Sequence, residues 1–535
     1  MKTMISSIIL ASCLALPLAS CSDSDVAPEQ KDWSTTTYFY SADAAMQDTY
    51  YKPTVGYVGD PMPFFDPVAG DFKVLYLQDF RPNPEGTYHP IWGVSTKDAA
   101  HYTSLGELVS CGTKKSQDAA IGTGSTIYDE ASKLYYTFYT GNKYLPTGDE
   151  SAQAVMVATS PDFKTWTKDR TFLLKGQDFG YDKNDFRDPF VFKGDDGKFH
   201  MLVSTKKSGK GSLAEFVSDD LKNWTDNGVF MTMMWDRFYE CPDLFKMGDY
   251  WYLVYSEIHH AVRRVQYFKG RTLDELKACT ANDVARWPDA HEGFLDSRGL
   301  YAGKTASDGT NRYLWGWCPT RSGKDNTAVG ASPAEPEWGG NLVCYKLIQH
   351  EDGTLTLGQV DAVSEKYNQD VAVEVKESQN MTEADGTYTL AGSVEQPDAY
   401  MLMGRLGSHN KISFTVTTSN EWDKFGISMV RGSDSKKYYT MVVNPENENN
   451  RKVNFEEQGV EGKGFIAGID GYVFARPADN VYNITIYTDN SICVMYINDV
   501  CSYTNRIYGI QKNCWSINSY NGANVKISNL KISQY

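Results

Sequence analysis

Between about residues 60 and 360 the chain alternates short apolar runs with turn-forming residues. Examples are Lys73-Val74-Leu75-Tyr76-Leu77, Leu134-Tyr135-Tyr136-Thr137-Phe138-Tyr139, Phe199-His200-Met201-Leu202-Val203 and Tyr250-Trp251-Tyr252-Leu253-Val254-Tyr255. Each is rich in β-branched or aromatic residues and is bounded by Gly, Asp, Asn or Pro, the signature of a strand. Many short strands at regular spacing predict an all-β sandwich, barrel or propeller. One helix is expected, near Thr272 to Cys279, with Thr272 as cap and Glu275 three residues on.

A repeat underlies the strands. Blocks open at Gly59-Asp60, Gly124-Ser125, Arg187-Asp188, Glu240-Cys241 and Gly299-Leu300, roughly 53 to 64 residues apart. Blades of a propeller recur every ~40–50 residues before loop insertions, so five blocks predict five blades around a central funnel. The first strand of each blade lines the axis in that design. The expected domain spans 41–365. After a boundary near Val360 to Lys376, turn-separated strands continue, among them Lys411–Val416, Tyr438–Val443, Tyr482–Tyr487 and Ile492–Ile497. They predict a β-sandwich over 375–535. Its last run, Val525 to Ile532, alternates at period two and should be a half-exposed strand.

The first residues read as an address. Lys2 precedes an apolar stretch from Ile5 to Leu18, and Leu18-Ala19-Ser20-Cys21 sets small residues before a cysteine. This resembles a bacterial lipoprotein signal, residues 1–20, with lipid on the Cys21 sulfur and a polar tether over 21–40. An extracytoplasmic protein anchored to a bacterial membrane, most simply the outer one, is expected. No later segment is apolar enough to span a bilayer.

Composition narrows the partners. A net charge of −16 argues against nucleic acid and anionic surfaces. The 35 Tyr and 12 Trp fit carbohydrate stacking, although strands also favour them. Eight further cysteines (111, 241, 279, 318, 344, 493, 501, 514) are scattered without a CxxC pair, and the eight histidines show no HExxH spacing. No metal and no other cofactor is expected. The cysteines read as buried thiols, Cys493 with Cys501 or Cys514 being the nearest set for a disulfide. Gly209-Lys210-Gly211-Ser212 lacks P-loop spacing and reads as a hairpin turn.

Three of the repeated openings share a further device: a carboxylate before a proline, feeding an aromatic strand. They are Asp60-Pro61-Met62-Pro63-Phe64-Phe65, Asp188-Pro189-Phe190-Val191-Phe192 behind Arg187, and Glu240-Cys241-Pro242-Asp243-Leu244-Phe245. Proline discourages helix at each junction. Singly, such motifs serve as turns and caps. In phase on equivalent blades, they bring three acids to one mouth of the funnel, beside an arginine, and that suits a glycosidase.

These residues resemble glycoside hydrolase family 32, the invertases, inulinases and levanases. Phe186-Arg187-Asp188-Pro189 is similar to that family's arginine-aspartate-proline motif, and Tyr239-Glu240-Cys241-Pro242 to its glutamate-cysteine motif. Asp60-Pro61 falls where the family carries its nucleophile. Leu75-Tyr76-Leu77-Gln78, Trp92-Gly93, Thr123-Gly124-Ser125, Tyr301-Ala302-Gly303-Lys304-Thr305, Leu314-Trp315-Gly316-Trp317 and Trp338-Gly339-Gly340 follow in the family's order. The chain departs from the pattern at Gly59 (usually Asn), at Met62-Pro63 (usually Asn-Gly) and at Val94 (often His).

The resemblance implies a five-bladed propeller with a C-terminal sandwich, and a retaining hydrolase of β-fructosides such as fructans or sucrose. It implies Asp60 as nucleophile, Glu240 as acid/base, and Asp188 as a binder of sugar hydroxyls. Arg187 would bind hydroxyls and offset the repulsion among the acids. Gln78, Trp92, Ser125, Tyr301 and Trp317 are the remaining candidates around the fructosyl unit, and for the tryptophans core packing is an equal alternative. Two other readings stay open. One is a related propeller pentosidase on arabinan or xylan, with carboxyls about 6.5–9.5 Å apart. The other is a non-catalytic glycan-binding lipoprotein.

Overall fold

The computed structural model describes residues 49–80, 88–233, 238–257, 264–279, 293–321, 336–431, 438–445, 452–458, 472–474 and 476–535. The expected signal, Cys21 and the tether lie outside the described residues.

Antiparallel sheets form five blades. The first holds β1 (Tyr57–Asp66), β2 (Asp71–Asp79), β3 (Ile91–Thr96) and β4 (Thr103–Val109). The second holds β5 (Ala120–Asp129), β6 (Leu134–Asn142), β7 (Gln153–Ser160) and β8 (Thr167–Lys168). The third holds β9 (Phe186–Lys193), β10 (Phe199–Lys207), β11 (Lys210–Ser218) and β12 (Thr225–Thr232). The fourth shows β13 (Glu240–Met247), β14 (Tyr250–Glu257) and β15 (Arg264–Gly270), and the fifth β16 (Tyr301–Ser307), β17 (Arg312–Arg321), β18 (Pro336–Gln349) and β19 (Leu355–Gly358). The ring closes where Val58 of β1 pairs with Gly340 of β18. Only glycine fits there, since a Cβ at 340 would meet the Cys318 carbonyl oxygen at 1.8 Å.

The innermost strands, β1, β5, β9, β13 and β16, share one irregularity. Each loses register with its neighbour at the same point: Gly59 to Met62, Gly122 to Gly124, Arg187 to Phe190, Glu240 to Asp243 and Tyr301 to Lys304. A bulge re-aims side chains and bends the strand. Four bulge residues hold positive φ: Asp60 (29°), Asp188 (57°), Cys241 (52°) and Ala302 (52°). Non-glycine residues adopt that region only when their surroundings impose it. The bulges therefore sort the strand residues into tiers. Gly59, Gly122, Arg187, Glu240 and Tyr301 are equivalent, then Asp60, Thr123, Asp188, Cys241 and Ala302, then Met62, Ser125, Phe190, Asp243 and Lys304.

The helix α1 (Leu273–Ala278) follows the fourth blade as expected. The Thr272 side chain accepts from the Glu275 amide, and Glu275 accepts from the Arg271 amide. The hairpin turn expected at 209–212 sits instead at Ser208-Gly209, both with positive φ, while Lys210 to Ser212 are already strand. A two-residue turn with both φ positive matches strand twist, so the pair moves the turn forward.

After β19 a short helix α2 (Asp361–Lys366) leads into two packed antiparallel sheets. Their first strand, Gln369–Val371, begins ahead of residue 375 and pairs with the C-terminal strand Asn524–Gln534. That last strand alternates in burial over 525–528 as its sequence predicts, then slips phase at Asn529 (φ 55°), where the pairing shifts, and alternates again over 529–532. Ile412, Val416, Met441, Ile486 and Trp515 lie in the core between the sheets. The sandwich is bolted to the propeller by buried polar groups. Arg506 donates to the carbonyls of Cys318 and Pro319, to Asn341 Oδ1 (2.6 Å) and to Ser491 Oγ (2.9 Å). Asp296 accepts from the Thr504 amide and hydroxyl, both at 2.8 Å, and from Ser502 Oγ at 2.9 Å. The eight described cysteines are all free thiols.

Candidate active site

The first two tiers meet at one end of the axis in a cleft of about 210 Å³. Gly122, Arg187, Glu240 and Tyr301 line it from the upper tier, and Asp60, Thr123, Asp188 and Cys241 from the tier beneath. His89, Asn142 and Trp338 complete the wall with Leu77 and Ile121.

Asp60 is held at both oxygens. Thr123 Oγ1 donates to Oδ2 at 2.7 Å, and the Trp317 indole N–H to Oδ1 at 3.0 Å. Burial pushes this carboxyl above its ordinary value, as does Glu240, while the two bonds and His89 pull it back. Asp188 accepts from the Cys241 amide at 2.9 Å. Its own amide donates to Thr140 Oγ1 at 2.8 Å, which fixes the bulge. Burial pushes Asp188 up to about 6, against the pull of Arg187 and of the Cys241 amide. Glu240 Oε1 accepts from Arg187 Nη2 at 3.0 Å, and Oε2 from the Tyr301 hydroxyl.

Arg187 ties the acids together. Its Nη1 also reaches Asp185 at 2.7 Å, its Nε lies 4.0 Å from Asp188 Oδ2, and the guanidinium sits 3.8 Å from the Phe238 ring centroid. Burial alone would pull its pKa down, but Asp188 and Glu240 hold it above the ordinary value. Below the acids, Lys304 is buried, with Nζ donating to the Gly124 carbonyl at 2.7 Å. Burial pulls Lys304 down, and Cys241, Asp243, Asp188 and Asp60 draw it back up. The Cys241 thiol, 3.8 Å from Thr123 Oγ1, is held protonated by burial.

Of the sequence candidates, Asp60, Asp188, Glu240, Arg187 and Tyr301 come together in the cleft. Trp317 is fully buried and supports the site from behind, through its bond to Asp60 and ring contacts with Tyr301 at 5.7 Å and Trp338 at 6.0 Å. Gln78, Trp92 and Ser125 do not line the cleft. Ser125 belongs to the third tier, where its hydroxyl donates to the Pro189 carbonyl and accepts from the Val191 amide, both at 2.9 Å. It clasps β5 to β9, because the bulge puts Thr123, not Ser125, level with the acids. Gln78 is buried with Nε2 on the Val55 carbonyl at 2.6 Å. Trp92 is half-buried and packs edge-on against Phe80 at 5.8 Å, at the margin of the core beneath the first blade.

The cleft residues not anticipated are Thr123, Cys241, Asn142, His89 and Trp338. Thr123, Cys241 and Trp338 stood inside the family motifs, and for the first two their equivalence to Asp60 and Asp188 was the available signal. His89 stacks on Trp338 at 4.0 Å and 21°. Trp338 covers Gly59, where a Cβ would meet its ring at 2.2 Å. The ring thus fills the place of a side chain at 59, which accounts for the glycine there. Among the described residues no cluster of three metal-ligating side chains occurs.

A family profile described as "Glycosyl hydrolases family 32 N-terminal domain" matches residues 50–360, and one described as "GH32, BT1760-like, C-terminal domain" matches 353–532. The chain is 26% identical over 310 residues to a beta-fructofuranosidase, insoluble isoenzyme CWINV2, of Arabidopsis thaliana, covering 52% of this chain and 50% of that protein. It is 28% identical over 282 residues to an invertase of Debaryomyces hansenii, covering 48% and 49%. The chain spans about half the length of these curated relatives. Among solved structures, an exo-inulinase from Aspergillus awamori superposes with a TM-score of 0.68 at 15% identity, over 93% of this chain and 99% of that one. A sucrose-6-phosphate hydrolase from Lactobacillus gasseri gives 0.66 at 18% identity, over 92% and 94%. At such identity these two speak for the fold, a five-bladed propeller followed by a sandwich.

Proposed function

The chain belongs to glycoside hydrolase family 32, and we propose that it hydrolyses β-fructosidic bonds of fructans or sucrose-type fructosides with retention of configuration. The observation that carries this reading is the meeting of Asp60, Asp188 and Glu240 in one cleft around Arg187. Family membership favours fructosides over the pentosans of the related propeller enzymes. The relatives named invertase and inulinase point to the same bond class.

In the first step Asp60 Oδ attacks the anomeric carbon of the fructosyl unit while Glu240 passes its proton to the departing oxygen. The anomeric C–O bond breaks and a fructosyl ester of Asp60 forms. Glu240, now a carboxylate, takes a proton from water, whose oxygen attacks the same carbon from the vacated face. Asp60 leaves and the cycle closes with one water consumed. Thr123 and Trp317 favour the ionised Asp60 in both steps, because both donate to it. Tyr301 can donate to Glu240 or accept from it, so it serves either protonation state. Asp188 accepts from sugar hydroxyls, with bonds that tighten as positive charge develops on the ring, and Arg187 donates to them.

Reducing-sugar release from levan, inulin and sucrose tests the reading. Turnover of at least one, abolished in Asp60→Ala, is expected. No release from any of the three would refute it. We further infer a lipid anchor at Cys21, supported by the Leu18-to-Cys21 pattern. Cys21→Ala should leave the protein in the soluble fraction of the envelope or the medium, and unchanged membrane association would overturn this.

A further inference from the structure

We propose that a second cleft, beside the catalytic one, holds a further segment of a fructan chain. The inference rests on the fructoside reading above and extends it to a separate site. The cleft has a volume of about 610 Å³ against 210 Å³ for the catalytic one, and its walls include Leu108, Lys115, Gln117, Met156, Trp166 and Leu173. It lies between the outer strands of the first two blades. The connection from β4 to β5 forms one wall and then runs into the catalytic cleft. Asp118 lines the second cleft, and Ile121, three residues later, lines the first. Three residues of chain span at most about 10 Å.

The chain segments that line the two clefts carry exposed apolar side chains. Asn142 lines the catalytic cleft, and two residues on Tyr144 is 42% exposed, with the Lys114 ammonium 5.8 Å from its ring centroid. Leu145 is 72% exposed, and Leu173 at the second cleft 38%. A sugar polymer needs such surfaces: apolar rings against its C–H faces, and polar groups for its hydroxyls. Ser116, Gln117 and Thr167 supply the polar part.

The wall is also built in advance. Gln117 Nε2 donates to the Gly141 carbonyl at 3.1 Å and the Ser151 carbonyl at 3.3 Å. The Gly112 amide donates to the Asp118 carbonyl at 2.8 Å, and the Cys111 thiol to the Tyr88 carbonyl at 2.9 Å. Asp118 receives the Lys168 ammonium and the Tyr139 hydroxyl. Lys168 is paired with Asp118 inside the wall, which leaves hydroxyl, amide and apolar groups beside Lys115 and Arg170 to face the cleft. A preformed wall lowers the ordering cost of binding a flexible chain.

The test uses Tyr144→Ala and Leu173→Ala, both at exposed positions. Steady-state kinetics are compared on a long fructan and on an aryl fructoside too short to leave the catalytic cleft. The expected result is a rise in KM for the polymer of about fivefold per variant, the scale of one lost aromatic or aliphatic contact. The aryl fructoside should keep its kcat and KM. An unchanged polymer KM, or an equal loss on both substrates, would overturn the proposal. Binding is read separately by the retardation of Asp60→Asn protein in gels containing levan or inulin. Weaker retardation when either substitution is added supports the site, and equal retardation overturns it. Failure of the parent protein to turn over any fructoside would instead count against the hydrolase reading alone.

Discussion

Asp188→Asn should make the protein more stable at neutral pH while destroying its activity. Asp188 is 4% exposed, and burial pushes its carboxyl up to about 6 from an ordinary 3.8. The native state therefore keeps a proton that the unfolded chain gives up between pH 4 and pH 6. The stability linked to that proton is fully present below pH 3.8 and is lost as pH rises through 6. A gap of about two units corresponds to about 3 kcal/mol above pH 7. Asparagine never ionises, so the variant escapes the cost. Its Oδ1 can still accept from the Cys241 amide, and Arg187 keeps Asp185 and Glu240 as partners. With an unfolding entropy near 2.1 cal/mol/K per residue, a chain of this length gains about 3 °C in Tm. Scanning calorimetry at pH 4.0 and pH 7.5 measures it. A gain of this size at pH 7.5 with little at pH 4.0 is expected. The same gain at both values, or none at pH 7.5, would refute the reasoning.

Two other substitutions probe different parts of the account. Thr123→Val removes the donor to Asp60 Oδ2, a bond that favours the ionised acid. The acidic limb of kcat/KM should therefore move to higher pH, and kcat/KM should fall by about tenfold or more, the worth of a hydrogen bond to a charged group; a pH profile with an unmoved limb would count against it. Arg506→Met leaves the carbonyls of Cys318 and Pro319 and Asn341 Oδ1 without that donor in a buried seam. Urea unfolding should show a loss of about 3–5 kcal/mol, since each buried acceptor left unsatisfied costs about 1–3 kcal/mol, and Arg506→Lys should not restore it, because an ammonium cannot span the same acceptors as a planar guanidinium.

The three acids were legible because each carries its own local signal. An acid before proline marks the start of a strand, and here that start coincides with a bulge at the funnel mouth. Thr123 carries no such mark: it reads as ordinary strand filler, and only its register with Asp60 and Asp188 gives it away. The same offset explains Ser125, one tier too deep, and the fifth blade, whose bulge begins at Tyr301 rather than at Gly299-Leu300. Periodicity locates a strand, but a bulge changes which residues face the axis, and no pattern of apolar positions records it. Trp338 and His89 were illegible for another reason. Their stacking and the cover over Gly59 are contacts between remote parts of the chain, made when β18 closes the ring against β1. Gln78 and Trp92 lay in the right motif order, yet Gln78 is buried inside the first blade and Trp92 packs at the margin of its core. Family order located the motifs, and packing decided which of their residues line the cleft.

The division of labour between Asp60 and Glu240 is the central claim, and azide rescue tests it most directly. In Glu240→Ala an activated aryl or fluoride fructoside still leaves without a proton, so the first step survives, but water lacks its base and the fructosyl-enzyme accumulates. Azide needs no base. The account predicts a burst followed by a low steady rate, azide acceleration of that rate, and a fructosyl azide of retained configuration. Rescue of Asp60→Ala by azide with inverted product, and no effect of azide on Glu240→Ala, would contradict it and exchange the two roles.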